Sequence, residues 1–430
     1  MSYILGLLIC SAAGFLLIRI LTAGRMKLIL HILLGIILGL GLAGTAAFYT
    51  HILFNQFEHW LPIGLVILLI ACLFFQKRIK TKSGALISRN DGWGLLALGL
   101  LAVPLAVSAH YFPLGGWDAW SCWSLKAKFI FLGQENWKDA LGPGLWRSNT
   151  NYPLFWPLIN VWFCDLAGRF DQNIPMLNSL VIALTTAGIL LFGLWELTGQ
   201  LWASIAGAVL VTALPFNITL FTSQYSDSLL GALWLSAFVA LLLARKYDCP
   251  KLKILTMIFL GMMSFTKNEG LIAAGITALG IFWHERTRKK ELKVLIPAFI
   301  IACLPTIIFT LFIAPRNEAF INGLLSADKP TQWTRVVIIL VYPWFEFISG
   351  KWNGFWFLAG AGVLLAARKL WQPTLRLIGV SLVLYVAVVM SYYAVNTFFE
   401  IGWWLKTTLS RILFALLPAI ALWIGVAMAA

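Results

Sequence analysis

Long apolar runs alternate with short polar loops along almost the whole chain. Runs near 3–20, 28–50, 61–75, 91–112, 174–196, 201–222, 227–244, 254–265, 271–283, 294–314, 352–367, 377–394 and 411–429 predict about thirteen membrane-spanning helices. The predicted fold class is an all-α polytopic membrane protein. Two runs, 254–265 and 271–283, would form helices of only about 18–20 Å, against a hydrocarbon core of about 30 Å. Their shared apex, Thr266-Lys267-Asn268-Glu269-Gly270, is therefore expected to sit sunk below the membrane surface. Polar backbone at that depth is tolerated where it lines protein or a water-filled cavity.

Two longer segments interrupt the pattern, 113–173 and 315–351. The first is too apolar for a free linker. Trp120, Trp123, Ala127 and Ile130 recur at three- to four-residue spacing, which predicts a helix lying in the interface. A second interfacial piece is expected over Tyr152 to Leu166, broken by Pro157. Tryptophan suits that depth, with an apolar body and a polar edge. The second segment carries Arg316, Lys329, Arg335 and Lys351 and reads as another outer loop. Residues 1–90 read as a three-helix membrane segment ahead of a larger module over 91–430.

Charge gives the chain a direction. Of its 430 residues, 60% are hydrophobic and 11% charged, with a formal net charge of +15. Most of the 32 Lys and Arg gather in loops containing Arg19, Arg25 and Lys27, Lys77 to Arg89, Arg245 to Lys253, Arg286 to Lys293, and Arg368 to Arg376. The positive-inside rule places those loops in the cytoplasm. It leaves the N-terminus and segments 113–173 and 315–351 outside, and the C-terminus inside. The charge is thus a topology signal rather than a nucleic-acid footprint, and the expected location is a plasma (inner) membrane. No cleavage pattern follows the first apolar run. The six cysteines lack metal-ligand spacing and read mostly as small core residues, although Cys122 and Cys164 share the outer side. The histidines form no zinc motif. No metal and no cofactor is required by the sequence.

Four polar clusters fall on the predicted outer side: Asp118 with Lys126, Tyr225-Ser226-Asp227, Lys267-Asn268-Glu269, and Lys406 to Arg411. A carboxylate among tryptophans at a membrane surface is costly to keep, so Asp118 is the candidate general base. The alternative is an N-cap for the helix that follows it. Lys126 lies about two turns further on and either binds phosphate or snorkels. Lys267 either holds a lipid phosphate as a point charge or neutralises Glu269. Arg411 opens the last span, as an interface anchor or as a planar phosphate fork. Asp227 suits a helix N-terminus on electrostatic grounds alone.

Five stretches resemble the polytopic glycosyltransferases of the GT-C superfamily, nearest the bacterial group related to protein O-mannosyltransferases and aminoarabinose transferases (glycosyltransferase family 39-like). They are Trp117-Asp118-Ala119-Trp120 through Lys126-Ala127-Lys128, Asn151-Tyr152-Pro153-Leu154 with Pro157, Tyr225-Ser226-Asp227, Thr266 to Gly270, and Trp404 to Thr408 with Arg411 and Pro418. The second is similar to a "DYPLLLP" element, with Asn151 where the family has Asp. In the fifth, Trp404 stands where His is common. The resemblance covers roughly 91–430 and implies an enzyme. It would move a sugar from a polyprenyl-phosphate donor to a hydroxyl of a lipid, glycan or protein on the outer face, with inversion. Asp118 would take the proton. Lys126, Lys267 and Arg411 would meet the donor phosphate, and Tyr152, Tyr225, Asp227 and Glu269 would contact substrate. Two competing classes use related ligands: a lipid-linked-sugar flippase or transporter, and a polysaccharide ligase or polymerase. Transporters tend to place charge near the midplane in paired halves; here it gathers at one side and no second half mirrors the first. A ligase would be expected to carry an outer loop rich in His and Arg rather than Trp.

Overall fold

The computed structural model describes residues 2–22, 24–56, 64, 88–316, 321–323 and 329–430. Among these the chain is helical, with no strand. Eight described helices are long and apolar enough to cross a membrane, or nine if one bent pair counts as a span. The eight are α1 (Ser2–Thr22), α2 (Leu28–Phe54), α3 (Arg89–Tyr111), Asn173–Thr198, Ser226–Lys246, Lys289–Ile313, Pro373–Val395 and Ile401–Ala429.

The other expected spans differ for identifiable reasons. The run 61–75, apart from residue 64, lies outside the described residues. The run 201–222 breaks into Leu201–Thr212 and Pro215–Thr222, bent by 70°, because Pro215 starts a new helix at its first position. The runs 254–265 and 271–283 form the short pair Pro250–Ser264 and Asn268–His284, as their length requires. The run 352–367 supplies only the helix Phe355–Leu365.

Between its first and last turns helix Ser226–Lys246 is apolar on every face apart from Ser236, and it is the best-buried candidate span in the bundle. A helix without a polar face belongs in the middle of a bundle. Helices Asn173–Thr198, Pro250–Ser264 and Ile401–Ala429 pack around it.

The basic loops meet at one end of the bundle. Arg25 donates to the Tyr247 carbonyl at 3.0 Å. Lys27 pairs with Asp91 at 3.5 Å, and Lys246 bonds the Glu196 carbonyl. Lys253 pairs with Glu285 at 2.7 Å, and Arg245 bonds Thr374. The segments around Gly115, Ser223, Lys267 and Glu400 lie at the opposite ends of the same helices.

Segment 113–173 is helical and packs against the rest of the protein. Ala119–Trp123 is a π-helical turn leading into the helix Ser124–Gly133. The extra residue per turn shifts the stripe: Trp123, Ala127 and Ile130 are buried, while Trp120 is exposed beside Trp117. The second expected piece, 152–166, forms the continuous helix Phe155–Ala167, with Trp156 and Trp162 buried inside the protein. Pro157 does not break it, because it sits in the first turn, where no intrahelical donor is needed. Cys122 and Cys164 are both buried and free. Segment 315–351 likewise contains a long helix, Lys329–Ile348.

Candidate functional site

Local backbone chemistry brings Asp118 to its position. After α3, the chain turns at Gly115 (φ +70) and passes over the Ser223–Tyr225 corner. The Gly116 amide donates to the Ser223 carbonyl at 3.0 Å, and a Cβ at Gly116 would lie 2.3 Å from the Tyr225 hydroxyl. Only glycine permits that approach. The corner is itself strained: Gln224 adopts φ 61, a left-handed conformation unusual for a non-glycine. Its side chain donates to Pro113 O at 2.8 Å, and its carbonyl accepts from Trp156 Nε1 at 2.9 Å.

Asp118 does not act as a helix cap. It has helical φ/ψ and no side-chain cap bond. Its carboxylate instead accepts from Arg411 Nη1 at 2.5 Å, across 293 residues of sequence. Arg411 Nε and Nη2 donate to Asp227 Oδ2 at 3.1 and 2.8 Å. The other Asp227 oxygen accepts from Lys267 Nζ at 3.0 Å, and Lys267 lies 3.5 Å from Glu269 Oε1. The result is one chain of charge, Asp118–Arg411–Asp227–Lys267–Glu269. The Arg411 guanidinium lies 4.3 Å from the Tyr225 ring centroid, and the Asp118 amide donates to the Tyr225 hydroxyl at 3.4 Å.

Exposure separates the roles. The Asp227 side chain is 4% exposed and that of Lys267 7%, while Asp118 is 30% exposed. Asp227 is thus the buried counter-ion that orients both cations, and Asp118 is the carboxylate a ligand can reach. Burial, then the nearby Asp118 charge, raises the Tyr225 phenol and keeps it a neutral hydrogen-bonding group.

Arg411 is not at the opening of its helix. Helix Ile401–Ala429 begins ten residues earlier than expected, because Glu400 caps it by accepting from the amides of Gly402 and Trp403. Arg411 is therefore nearly three turns inside the helix, with its guanidinium committed to Asp118 and Asp227. Lys126 neither snorkels nor opens to solvent. It is fully buried beside Trp123 and Tyr152, and Nζ donates to the Asn149 carbonyl at 3.0 Å. Burial pulls its ammonium below the usual lysine range, an effect that Cys122 and Asp118 partly offset.

Sequence reading missed one wall of the site. Tyr393 stacks on Trp404, with centroids 4.1 Å apart, and donates to Thr408 Oγ1 at 3.1 Å. Arg335 secures the turn that carries them, donating to the carbonyls of Tyr393, Asn396 and Phe399. Beside Arg411, Ser410 joins Glu346 at 2.9 Å and Lys351 at 2.7 Å. The signals were present as Tyr392-Tyr393 at a span end and as Arg335 and Glu346 within the helix Lys329–Ile348. Both are also ordinary membrane-interface features, so the pattern alone does not single them out.

Comparison with protein-family models, curated proteins and solved structures finds no match to this chain.

Proposed function

We propose that the protein is a membrane glycosyltransferase that moves a sugar from a polyprenyl-phosphate donor to an acceptor hydroxyl, with Asp118 as the general base. One observation carries the reading. Arg411 is held by buried Asp227 through two of its donors, and its third donor is shared with accessible Asp118. The arrangement suits a phosphate that must be bound beside a proton acceptor.

A donor phosphate oxygen would compete with Asp118 for Arg411 Nη1. Its binding releases the carboxylate toward the acceptor. The acceptor oxygen then attacks the anomeric carbon as its proton passes to Asp118. The bond to the phosphate oxygen breaks, and the phosphate leaves with the electron pair. Displacement from the opposite face inverts the anomeric centre. The leaving group needs positive charge rather than a proton, and Arg411, backed by Lys267, supplies it in a site shielded from water. Stretches resembling those of GT-C enzymes contribute all five charges, Arg411 coming from the stretch in which Trp404 stands where the family commonly has His.

The test uses the full-length protein in nanodiscs with decaprenyl-phosphate-linked mannose, glucose, galactose or arabinose and a membrane-lipid extract as acceptor. Asp118→Asn is expected to lower transfer by about 10²-fold or more. Equal transfer by wild type and Asp118→Asn removes Asp118 from the chemistry. Passage of the donor between leaflets without product assigns the site to a flippase instead.

A further inference from the structure

Helix Lys329–Ile348 turns its apolar side outward. Trp333, Val337, Leu340, Trp344 and Phe345 are exposed at helical spacing, and Thr334 is the one polar residue exposed over 333–348. Its charges point the other way, with Arg335 and Glu346 buried against the protein. A helix lying flat at a membrane surface needs a polar side for water, and this one has none left. Helix Phe355–Leu365 repeats the pattern, with Phe357, Leu358 and Leu365 exposed. Its 11 residues extend about 17 Å, too little to cross a hydrocarbon core of about 30 Å alone.

Contacts with the last helix give the course of both pieces. Arg335 donates to the carbonyls of Tyr393, Asn396 and Phe399, at the turn before Ile401–Ala429. Glu346 and Lys351 meet Ser410. A Cβ at Gly362 would lie 2.6 Å from Ile424 Cγ2. As the segment advances from 335 through 346–351 to 362, its partners advance from 399 through 410 to 424. It therefore follows a candidate span over most of its length and ends at the exposed basic pair Arg368 and Lys369. The two helices part at left-handed Asn353 (φ 46) and Gly354 (φ 76), close to the level of Ser410 and Arg411.

The break holds a charge pair at that depth. Glu346 accepts from Lys351 Nζ at 2.9 Å, Ser410 Oγ at 2.9 Å and Trp352 Nε1 at 3.0 Å. Ionisable groups inside a membrane are costly and mark function by default, and a buried pair adds little stability that packed apolar side chains would not supply. What this pair supplies is position. Through Ser410 it holds the helix of Arg411. On its other side the Trp352 ring meets Phe216, with centroids 5.0 Å apart. Helix Pro215–Thr222 then leads to the Ser223 carbonyl that holds the Gly116 amide, two residues before Asp118. We propose that residues 333–365 form one membrane crossing, broken at 349–354 with its outward side in lipid, and that Glu346 and Lys351 at the break are positioning residues that set Arg411 against Asp118. The effect on phosphate binding rests on the transferase reading; the crossing does not.

The test uses full-length protein in nanodiscs. Nitroxides on Val337→Cys, Phe345→Cys and Leu358→Cys, in a Cys72→Ala background, are expected to collide with oxygen, which concentrates in lipid, and to be shielded from a water-soluble nickel chelate. A label on Lys138→Cys is expected to behave in the opposite way. Ready access of the chelate to positions 337 and 345 overturns the crossing. The double variant Glu346→Leu with Lys351→Met replaces the pair by apolar side chains and is expected to unfold at the wild-type temperature. It is nonetheless expected to shift or broaden the distance between nitroxides on Lys128→Cys and Lys406→Cys, exposed positions beside Asp118 and Arg411. Its affinity for decaprenyl phosphate, read by titration, is expected to fall about tenfold, the loss of one well-placed charged hydrogen bond. Glu346→Gln, which keeps the shape of the side chain, gives the same readings if the double variant does not fold. An unchanged distance, or a shifted distance with undiminished affinity, overturns the positioning role. A shifted distance in a protein whose wild type binds no decaprenyl phosphate keeps that role and defeats the transferase reading.

Discussion

Asp118 and Asp227 carry the same functional group and differ in burial and in the number of cations that hold them. Asp227 is enclosed by two cations, so removing its charge strands both. Asp227→Asn is expected to cost about 3–5 kcal/mol of stability. Asp118 is partly solvated and has one cation partner, so Asp118→Asn is expected to cost about 0–1 kcal/mol while losing transfer. Denaturant or thermal unfolding in detergent distinguishes the two, and equal costs would remove the division of roles. Lys126 gives a pH test. Its ammonium is held below the ordinary value of 10.5 by burial. Between that lowered value and 10.5 the unfolded chain binds more protons than the folded one, so stability rises with pH across the window. Lys126→Met is expected to lack this rise in unfolding temperature; an unchanged slope assigns it to other groups. Asp118 was legible in the sequence because a charge among tryptophans has few bland explanations. The Arg411 partnership was not legible, because contacts 293 residues apart leave no local trace.

At the scale of elements, the sequence was most readable where length constrains geometry. The two short apolar runs did form a short helical pair with Lys267 at its apex. The close turn between them depends on Gly270, where a Cβ would lie 2.3 Å from the Met263 carbonyl and 2.6 Å from Thr266 Oγ1. Gly270→Ala is expected to destabilise by about 1–3 kcal/mol and to displace Lys267 from Asp227. Unfolding measurements paired with the decaprenyl phosphate titration check both effects, and a stable variant with wild-type binding would show that the apex has slack. Reading failed where a cap or a helix type moved the register. Glu400 started the last helix ten residues early, and the π turn at Ala119–Trp123 rotated Trp120 away from the buried stripe. Tryptophan misled for a related reason. Its amphipathic ring fits the interface, but Trp123, Trp156 and Trp162 fill the core, and composition does not separate those two uses.

On the scale of the molecule, two different electrostatic designs occupy opposite ends of one bundle. The basic end is a set of loop-to-loop contacts, with Arg25, Lys27, Lys246 and Lys253 bonding carbonyls or carboxylates of neighbouring loops. Such contacts tie helix ends together and leave many cations at the surface, such as Lys251, Lys289 and Lys290. The other end draws its charges inward to a chain of five side chains from four segments. That polarity follows from the loop charges read in order, and it is the part of the architecture the sequence carries most directly, because loop charge needs no tertiary information. The positive-inside rule assigns the basic end to the cytoplasm, which gives the last prediction. Lys138 and Lys251 are both exposed, one on each end, and the described native cysteines are all buried. In intact cells a membrane-impermeant maleimide is expected to label Lys138→Cys at once and Lys251→Cys only after lysis. The reverse order would invert the molecule and put Asp118 on the side where nucleotide sugars are available, removing the reason for a lipid-linked donor. Labelling in the expected order places Asp118 and Arg411 toward the outer side, where the proposed transfer would draw its sugar from a membrane lipid and would need the carboxylate and the arginine that stand together there.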